Sequence, residues 1–443
     1  MLTNTPPRGA QRGPGQNQMH TAIEPLLDKA ARELGVDPLD LRKINAPTQE
    51  SRYGGNQGPI TSAYLREALE LGAQEFDWEA RRARSGDRNG PKVTGVGVGQ
   101  AFHSAGSSGF DGLLRISPDG RLHIHTGVGN LGTYSYASTS RVAAEVLGYN
   151  WDNCEIHRGD SSRGLPWNNG QYGSNTSFTM TRTNYAAGMD ALGKLKDIAA
   201  LELGGTSDDY DIANEEVFNR RNPSRRLTYA EAATIAIELG GTHSGNELPE
   251  DINPMTRRAA EQLAGTGLIG VARDNIEQTG MVPALAAGFI EIQLDIETGA
   301  VEIVDYLGVA DCGVVLHPQS LANQVRGGAV MGFGMAASER HVYDPRWGLP
   351  GSVGLHQAKP PSYLDVPSEI DWAAVELEDP NNPVGVKGIG EPLMGCAAAA
   401  LLCAISDALG GHYFNRIPVV ADMIINAAGG QPQSYRPLQV NTQ

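Results

Sequence analysis

Apolar positions in 396-CAAAALLCAISDALGG-411 recur at helical spacing and run into a Gly-Gly pair, which predicts a core helix ending in a glycine cap. The spacing of 20-HTAIEPLLDKAARELG-35 predicts an amphipathic helix closed by Gly35, with Asp37 and Pro38 starting the next turn. Before it, residues 1–18 are rich in Pro, Gly, Gln and Arg and read as an extended loop. Helices are also expected over 61–84, where mixed charges suggest a solvated element, and over 134–148, 228–239 and 319–338. The hydroxyl-rich loop 172–184 should lead into a further helix through residue 203.

Strand signals begin near residue 93, after the polar run 85-SGDRNGPK-92, a candidate linker. Residues 110–127 read as a hairpin turning at Pro118, Asp119 and Gly120. Strands are expected over 152–160, over 287–297 and 300–311 joined at Thr298 and Gly299, and over 371–378. Apart from its helix, 204–282 looks polar and irregular. Strands and helices mix without regular alternation, so the fold class expected is α+β and not a doubly wound sheet. No internal repeat is visible.

Composition narrows the function classes. A chain of 443 residues, 40% hydrophobic and 19% charged, is an ordinary globular protein with room for two or three domains. Its net charge of −16 argues against nucleic acid or anionic membrane as partner. There is no apolar stretch at the start that reads as a signal, and the apolar run 394–405 is too short to span a bilayer, so a soluble, cytoplasmic protein is expected. Cys154, Cys312, Cys396 and Cys403 are scattered, and the 10 histidines show no HExxH, so neither zinc nor an iron–sulfur centre is expected on these side chains. Cys396 and Cys403 should pack as small hydrophobes.

The 55 glycines are the departure from average. They gather in knots such as 95-GVGVG-99, 127-GVGNLG-132, 327-GGAVMGFG-334 and 385-GVKGIG-390. Such knots make tight turns, or they let backbone N–H groups approach a large ligand.

Four stretches could carry chemistry. Glu391, on a glycine turn before Pro392 and the core helix, reads as a general base or as a glutamate favoured by the helix dipole. Lys387 beside it is a charge partner or a surface lysine. In 312–339, Gln324 could present its amide to a heterocycle or be a satisfied buried amide, and the glycines there require close helix packing or a ligand at the backbone. Arg8 and Arg12, among glycines in 7-PRGAQRGPGQNQ-18, suit an anionic or oxo group. The segment 172-YGSNTSFTMTRTN-184 suits phosphate binding or plain helix capping.

Together these stretches resemble the molybdenum-cofactor subunit of the xanthine oxidase family. The likeness rests on 385-GVKGIGEPLMG-395, 317-HPQSLANQVRGGAVMGFGMAASE-339, the strand pair 287–306 and 11-QRGPGQ-16, and it covers residues 3–420. It implies the mixed sheets and helices of the aldehyde oxidase and xanthine dehydrogenase cofactor-binding domains. The resemblance divides the chain into 1–50, the tail of a first cofactor-binding domain; 51–92, a helical linker; and 93–443, a second such domain. It makes Glu391 the general base in water-derived hydroxylation of an electron-poor carbon. It also assigns cofactor contacts to Arg12, Gly13, Gly132, Thr133, Ser174, Ser177, Phe178, Thr179, Thr181, Gln324, Gly327, Gly328, Lys387, Gly388 and Gly390. Molybdenum or tungsten would be held by the dithiolene of a molybdopterin, of the cytosine dinucleotide form, with no protein ligands. FAD and [2Fe-2S] clusters would sit on partner subunits, and a further partner would carry the first half of the molybdenum-binding region, because the arginine motif lies midway along the family's subunit and here lies at residue 12.

Two departures bear on the reaction. Thr133 stands where the family's Gly-Gln-Gly has glutamine, and the arginine motif lacks the aromatic that stacks on a planar substrate. The same scaffold could therefore run a reductase, transhydroxylase or hydratase reaction, or serve as a non-catalytic subunit.

Overall fold

A computed structural model describes residues 9–160, 162–344 and 346–433. The first eight residues of the expected N-terminal loop lie outside the described residues. The chain divides into two compact units: Met1–Ser104 with Pro283–Leu377 and Ile389–Gln443, and Ala105–Val282 with Glu378–Gly388. These units are discontinuous in sequence. Residues 85–92, expected as a linker, instead form a hairpin inside the first unit, where Arg88–Asn89 pairs with the start of strand Lys92–Ser104. A short exposed turn has the same polar composition as a linker, and the pattern alone does not separate them.

The first unit is built on a five-stranded sheet in the order Asp371–Ala374, Val301–Asp311, Pro283–Asp295, Lys92–Ser104 and Arg88–Asn89. Its central pairs are antiparallel, and Asp371–Ala374 joins in parallel. Helices Pro318–Ala337 and Pro392–Ala408 bury the apolar core on one face. On the other face lie Leu65, Leu69, Phe76 and Trp78, packed around Phe289. The expected solvated helix 61–84 is thus two helices, Leu65–Glu75 and Trp78–Arg82, with a buried face; charges such as the Arg66–Glu70 pair mark only their outer side. Helix Gln16–Leu34 starts earlier than its pattern suggested, and Gly35 closes it in the left-handed conformation, φ 66°.

That helix also covers the free edge of strand Lys92–Ser104. Gln100 N–H donates to Glu24 at 3.0 Å and Phe102 N–H to His20 Nε2 at 3.0 Å, so the edge is not open for further pairing. Beneath it, fully buried Arg42 donates to Glu24 at 2.8 Å and to Asp28 at 2.7 Å. Burial works to lower the Arg42 pKa, but the two carboxylates overturn it and hold the guanidinium charged.

The second unit has a four-stranded sheet in the order Leu268–Arg273, Asp111–Ile116, Leu122–His125 and Cys154–His157. The hairpin expected at Gly120 is present, and Leu122–His125 pairs with Cys154–His157 in parallel. Helices Ser135–Val146 and Thr176–Leu203 cover its apolar face. The hydroxyl-rich stretch expected as loop to 184 is helical from Thr176. Ser and Thr hydroxyls there bond back to carbonyls one turn earlier, as Thr181 does to Ser177 at 2.7 Å, so a polar sequence still forms a helix. The region 204–282 is also more ordered than its polarity suggested. It holds a small sheet of Tyr210–Ala213, Glu216–Asn219 and Arg226–Thr228, helices Tyr229–Leu239 and Pro254–Glu261, and strand Leu268–Arg273.

Candidate active site and cofactor contacts

The glycine knot 95-GVGVG-99 is neither a turn nor a ligand loop. It lies within strand Lys92–Ser104, and alternate positions face helix Pro392–Ala408. A Cβ on Gly95 or Gly97 would stand 2.3 Å from the carbonyl of Ala404 or Ala400, and one on Gly99 would stand 2.5 Å from Ala400 N. The bare backbone lets an alanine-rich helix lie directly on the strand. Two residues further, Ala101 meets Gly395, where a Cβ would come within 2.9 Å. Two further still, His103 meets Glu391: Nδ1 stands 3.4 Å from Oε2, with the side chains 10% and 13% exposed.

Glu391 is the N-cap residue of that helix, followed by Pro392 at its first position, and its side chain makes no capping hydrogen bond. The carboxylate therefore stands at the positive end of the helix dipole without being used to close the helix. His103 Nδ1 lies 2.6 Å from the Ser104 carbonyl, which can only accept, so Nδ1 carries a proton. Glu391 thus faces an N–H edge.

Arg12 fixes the turn that presents Glu391. Its Nε and Nη2 donate to the Gly390 carbonyl at 3.0 and 2.6 Å, and Nη2 also donates to the carbonyl and Oε1 of Gln324, each at 3.0 Å. Because a guanidinium only donates, the amide oxygen of Gln324 must face Arg12 and its NH₂ must point away. Arg12 Nη1 has no hydrogen bond among the described residues and points toward Gly327. Burial lowers the Arg12 pKa to about 10, against the raising effect of Glu391, so it is cationic at neutral pH. Gly13 takes a left-handed φ of 66°, and Asn17 Nδ2 bonds the Arg12 carbonyl at 2.9 Å, holding the loop on the first turn of its helix.

Arg12, Gly13, Gln324, Gly327, Gly328, Gly390 and Glu391 all belong to the first unit, and the structure joins Arg12, Gln324, Gly390 and Glu391 into one cluster. Gly328 and Gly332 have the packing explanation. A Cβ there would meet Leu393 at 2.8 Å or the Met394 carbonyl at 2.6 Å. A wide cavity of about 1430 Å³ in this unit, lined by Phe333, Leu355, Pro361 and Val366, includes none of the cluster.

The remaining expected contacts lie in the second unit. Lys387 is fully buried, which removes the surface-lysine reading. Gly388 packs so closely on Ser174 that a Cβ would fall 1.6 Å from its carbonyl, and its N–H bonds Ala105 at 3.1 Å. Phe178 is buried, and Thr179 and Thr181 use their hydroxyls on Ser107, Ser177 and Asn382. Ser174 and Ser177 stand at the N-terminus of helix Thr176–Leu203, which has no side-chain cap. There Asn175 Oδ1 is buried without a hydrogen-bond partner among the described residues. Gly132 is exposed, and Thr133 is bonded by Gln171, whose Nε2 also reaches Ser135 at 2.5 Å. A glutamine amide thus does reach this loop, but from a position 38 residues later.

Sequence reasoning missed His103 and Gln171. The period-two series Gly95, Gly97, Gly99, Ala101, His103 could have found the histidine once the strand was known to face the helix. Nothing local marks Gln171. Cys396 and Cys403 pack as expected: burial pushes the Cys396 thiol up to about 12 and raises that of Cys403. Among the described residues no helix is long and apolar enough to cross a membrane.

Residues 71–367 match one family model and residues 1–46 another, both described as molybdopterin cofactor-binding domain. The xanthine dehydrogenase molybdenum-binding subunit of Escherichia coli O157:H7 is 28% identical over 418 residues, covering 92% of this chain and 52% of the relative. The aldehyde oxidoreductase molybdenum-binding subunit of Escherichia coli K12 is 27% identical over 411 residues, covering 91% and 50%. The chain therefore spans about half the length of these relatives. In fold it is similar to quinoline 2-oxidoreductase from Pseudomonas putida, with a TM-score of 0.78 at 24% identity over 96% of this chain and 54% of the other.

Proposed function

Because the chain belongs to the molybdopterin cofactor-binding family of xanthine dehydrogenases and aldehyde oxidoreductases, we propose that it is the catalytic part of a molybdenum-dependent hydroxylase, with Glu391 as general base. The substrate class is an electron-poor carbon of an aldehyde, an N-heterocycle or a related small molecule, hydroxylated with oxygen from water. The observation that carries this reading is the Glu391 carboxylate at a helix N-terminus, on a turn clamped by Arg12, beside the N–H edge of His103.

The donor set fits an oxo- and phosphate-bearing cofactor. In the first unit, Arg12 Nη1, next to Gly327, and the NH₂ of Gln324 point away from the protein bonds they flank, on the side chains that hold the Gly390 carbonyl; Gly13 and Gly328 belong to the same contact set in this proposal. In the second, the uncapped start of helix Thr176–Leu203, beside Ser174 and Ser177, offers backbone N–H donors, and orphaned Asn175 Oδ1 an acceptor. Gly132, Thr133, Phe178, Thr179, Thr181, Lys387 and Gly388 complete that contact set, Phe178, Thr179 and Thr181 by shaping it from within the helix. When bound, the molybdenum cofactor supplies two-electron redox chemistry. Arg12 orients the Glu391 turn and supplies fixed positive charge. Glu391 accepts the proton released from water at its carboxylate. His103 lines that carboxylate at 3.4 Å, its Nδ1–H directed mainly to the Ser104 carbonyl.

The reading includes partners: a chain carrying the other half of the molybdenum-binding region, a [2Fe-2S] subunit and an FAD subunit, in the cytoplasm, with the pterin in its cytosine dinucleotide form. The three segments 1–50, 51–92 and 93–443 stand in this proposal as domain tail, connection and second domain.

Glu391→Gln tests the role. Turnover of aldehyde and N-heterocycle substrates should vanish while bound molybdenum and pterin stay constant; loss of the cofactor instead would make Glu391 structural and sink the assignment. Thr133 supports a second reading, since it stands where the family has glutamine. Product formation without any electron acceptor would favour a hydratase or transhydroxylase reaction.

A further inference from the structure

We propose that His123, Glu155 and His157 form a binding site for a divalent transition metal of the zinc class on the edge of the second unit's four-stranded sheet. Strands Leu122–His125 and Cys154–His157 pair in parallel, with His123 opposite Glu155 and His125 opposite His157. Side chains alternate along both, so Leu122 and Ile124 enter the core while the four polar residues share the other face. Two tripeptides unremarkable alone, HIH and EIH, are thereby stacked into one donor cluster.

The geometry suits one ion. His123 Nδ1 and His157 Nε2 are 2.9 Å apart, and carboxylate oxygens of Glu155 stand 3.5 and 3.6 Å from them. Ligand atoms on a tetrahedral zinc with bonds of about 2.0–2.1 Å are separated by about 3.3 Å, so a small opening of the His–His pair admits the metal. The tautomer is also set. Ser117 Oγ donates to Asp119 and so accepts from His123 Nε2, 2.9 Å away. That leaves the lone pair of His123 on Nδ1, toward His157 and Glu155, which is the second-sphere arrangement of a metal-bound histidine. His125 stacks on His157 at 4.7 Å, and its buried Nε2 has no hydrogen-bond partner among the described residues. The Glu155 side chain is 52% exposed, leaving the fourth position to water.

Charge around the cluster permits a cation. Arg115 is the register partner of His123 on the neighbouring strand and opposes positive charge there, whereas Glu155 and Asp119 favour it. Arg163 is paired with Asp160 at 3.2 Å. The ion ties the edge strand to its neighbour through side chains, where backbone pairing is available on one side only.

The test uses the purified protein with whatever subunits accompany it, treated with a chelator and titrated with Zn²⁺ by calorimetry and with Co²⁺ by visible absorption. One equivalent per chain is expected, with tetrahedral Co²⁺ bands and a melting temperature that rises with free zinc. His157→Gln and Glu155→Gln lie on the edge strand and should abolish that equivalent. Ser117→Ala should weaken it by about ten- to a hundredfold. Absence of binding in the parent protein, or binding and a Co²⁺ spectrum unchanged in His157→Gln and Glu155→Gln, would overturn the site.

Discussion

His103 and Glu391 face each other across 3.4 Å as the last step of a strand–helix register. The stripe that begins with Gly95 against Ala404 and continues through Gly97, Gly99 and Ala101 ends with the imidazole opposite the carboxylate. Packing that holds the helix down also sets the distance between the two polar groups.

His103→Ala should therefore lower kcat while leaving molybdopterin content and the fold intact. The loss should be smaller than the about 10²–10⁴-fold expected for removing a general base. Steady-state kinetics with cofactor analysis checks it; an unchanged kcat would remove His103 from the mechanism.

Arg12→Lys keeps the charge and loses the fork. The carbonyl of Gly390 and Oε1 of Gln324 would be left without their donor, at a cost of about 1–3 kcal/mol each if unsatisfied. A lower melting temperature and weaker cofactor retention are expected, together with reduced turnover, because the Glu391 turn loses its anchor.

Gly97→Ala places a methyl group 2.3 Å from the Ala400 carbonyl and should destabilise by about 1–3 kcal/mol or more. Gly193→Ala is the opposite case. It lies inside helix Thr176–Leu203 with nothing within 4 Å of the added carbon, and alanine there should stabilise by about 0.5–1 kcal/mol. Denaturant unfolding of the two variants should move in opposite directions.

His20 gives a pH dependence. Burial lowers its pKa below the usual 6.5, against smaller raising effects from Phe102 and Glu24, and the neutral ring accepts the Phe102 N–H. The unfolded chain takes up this proton near pH 6.5 while the folded chain resists it, so stability falls as pH drops below that value. Melting curves between pH 7.5 and 5.5 should fall more steeply for the parent than for His20→Gln, whose amide oxygen can accept the same N–H; parallel curves would refute it.

By itself the sequence determined the local elements and the order of the chemical motifs. Helix Pro392–Ala408, the hairpin at Gly120, the strand pair joined at Gly299 and the glycine-framed Glu391 follow from spacing, caps and turn residues acting over a few positions. Tertiary structure alone decided what those motifs meet. The Arg12 contact to Gly390 spans 378 residues, the glycine stripe became a packing surface, and His103 gained its partner from the far end of the chain. The helix expected to be solvated buried its apolar side on Phe289, and parallel pairing assembled His123, Glu155 and His157. Local pattern reports which face of an element is apolar; which other element covers that face is fixed only when the whole core closes, because burial is shared between segments distant in sequence.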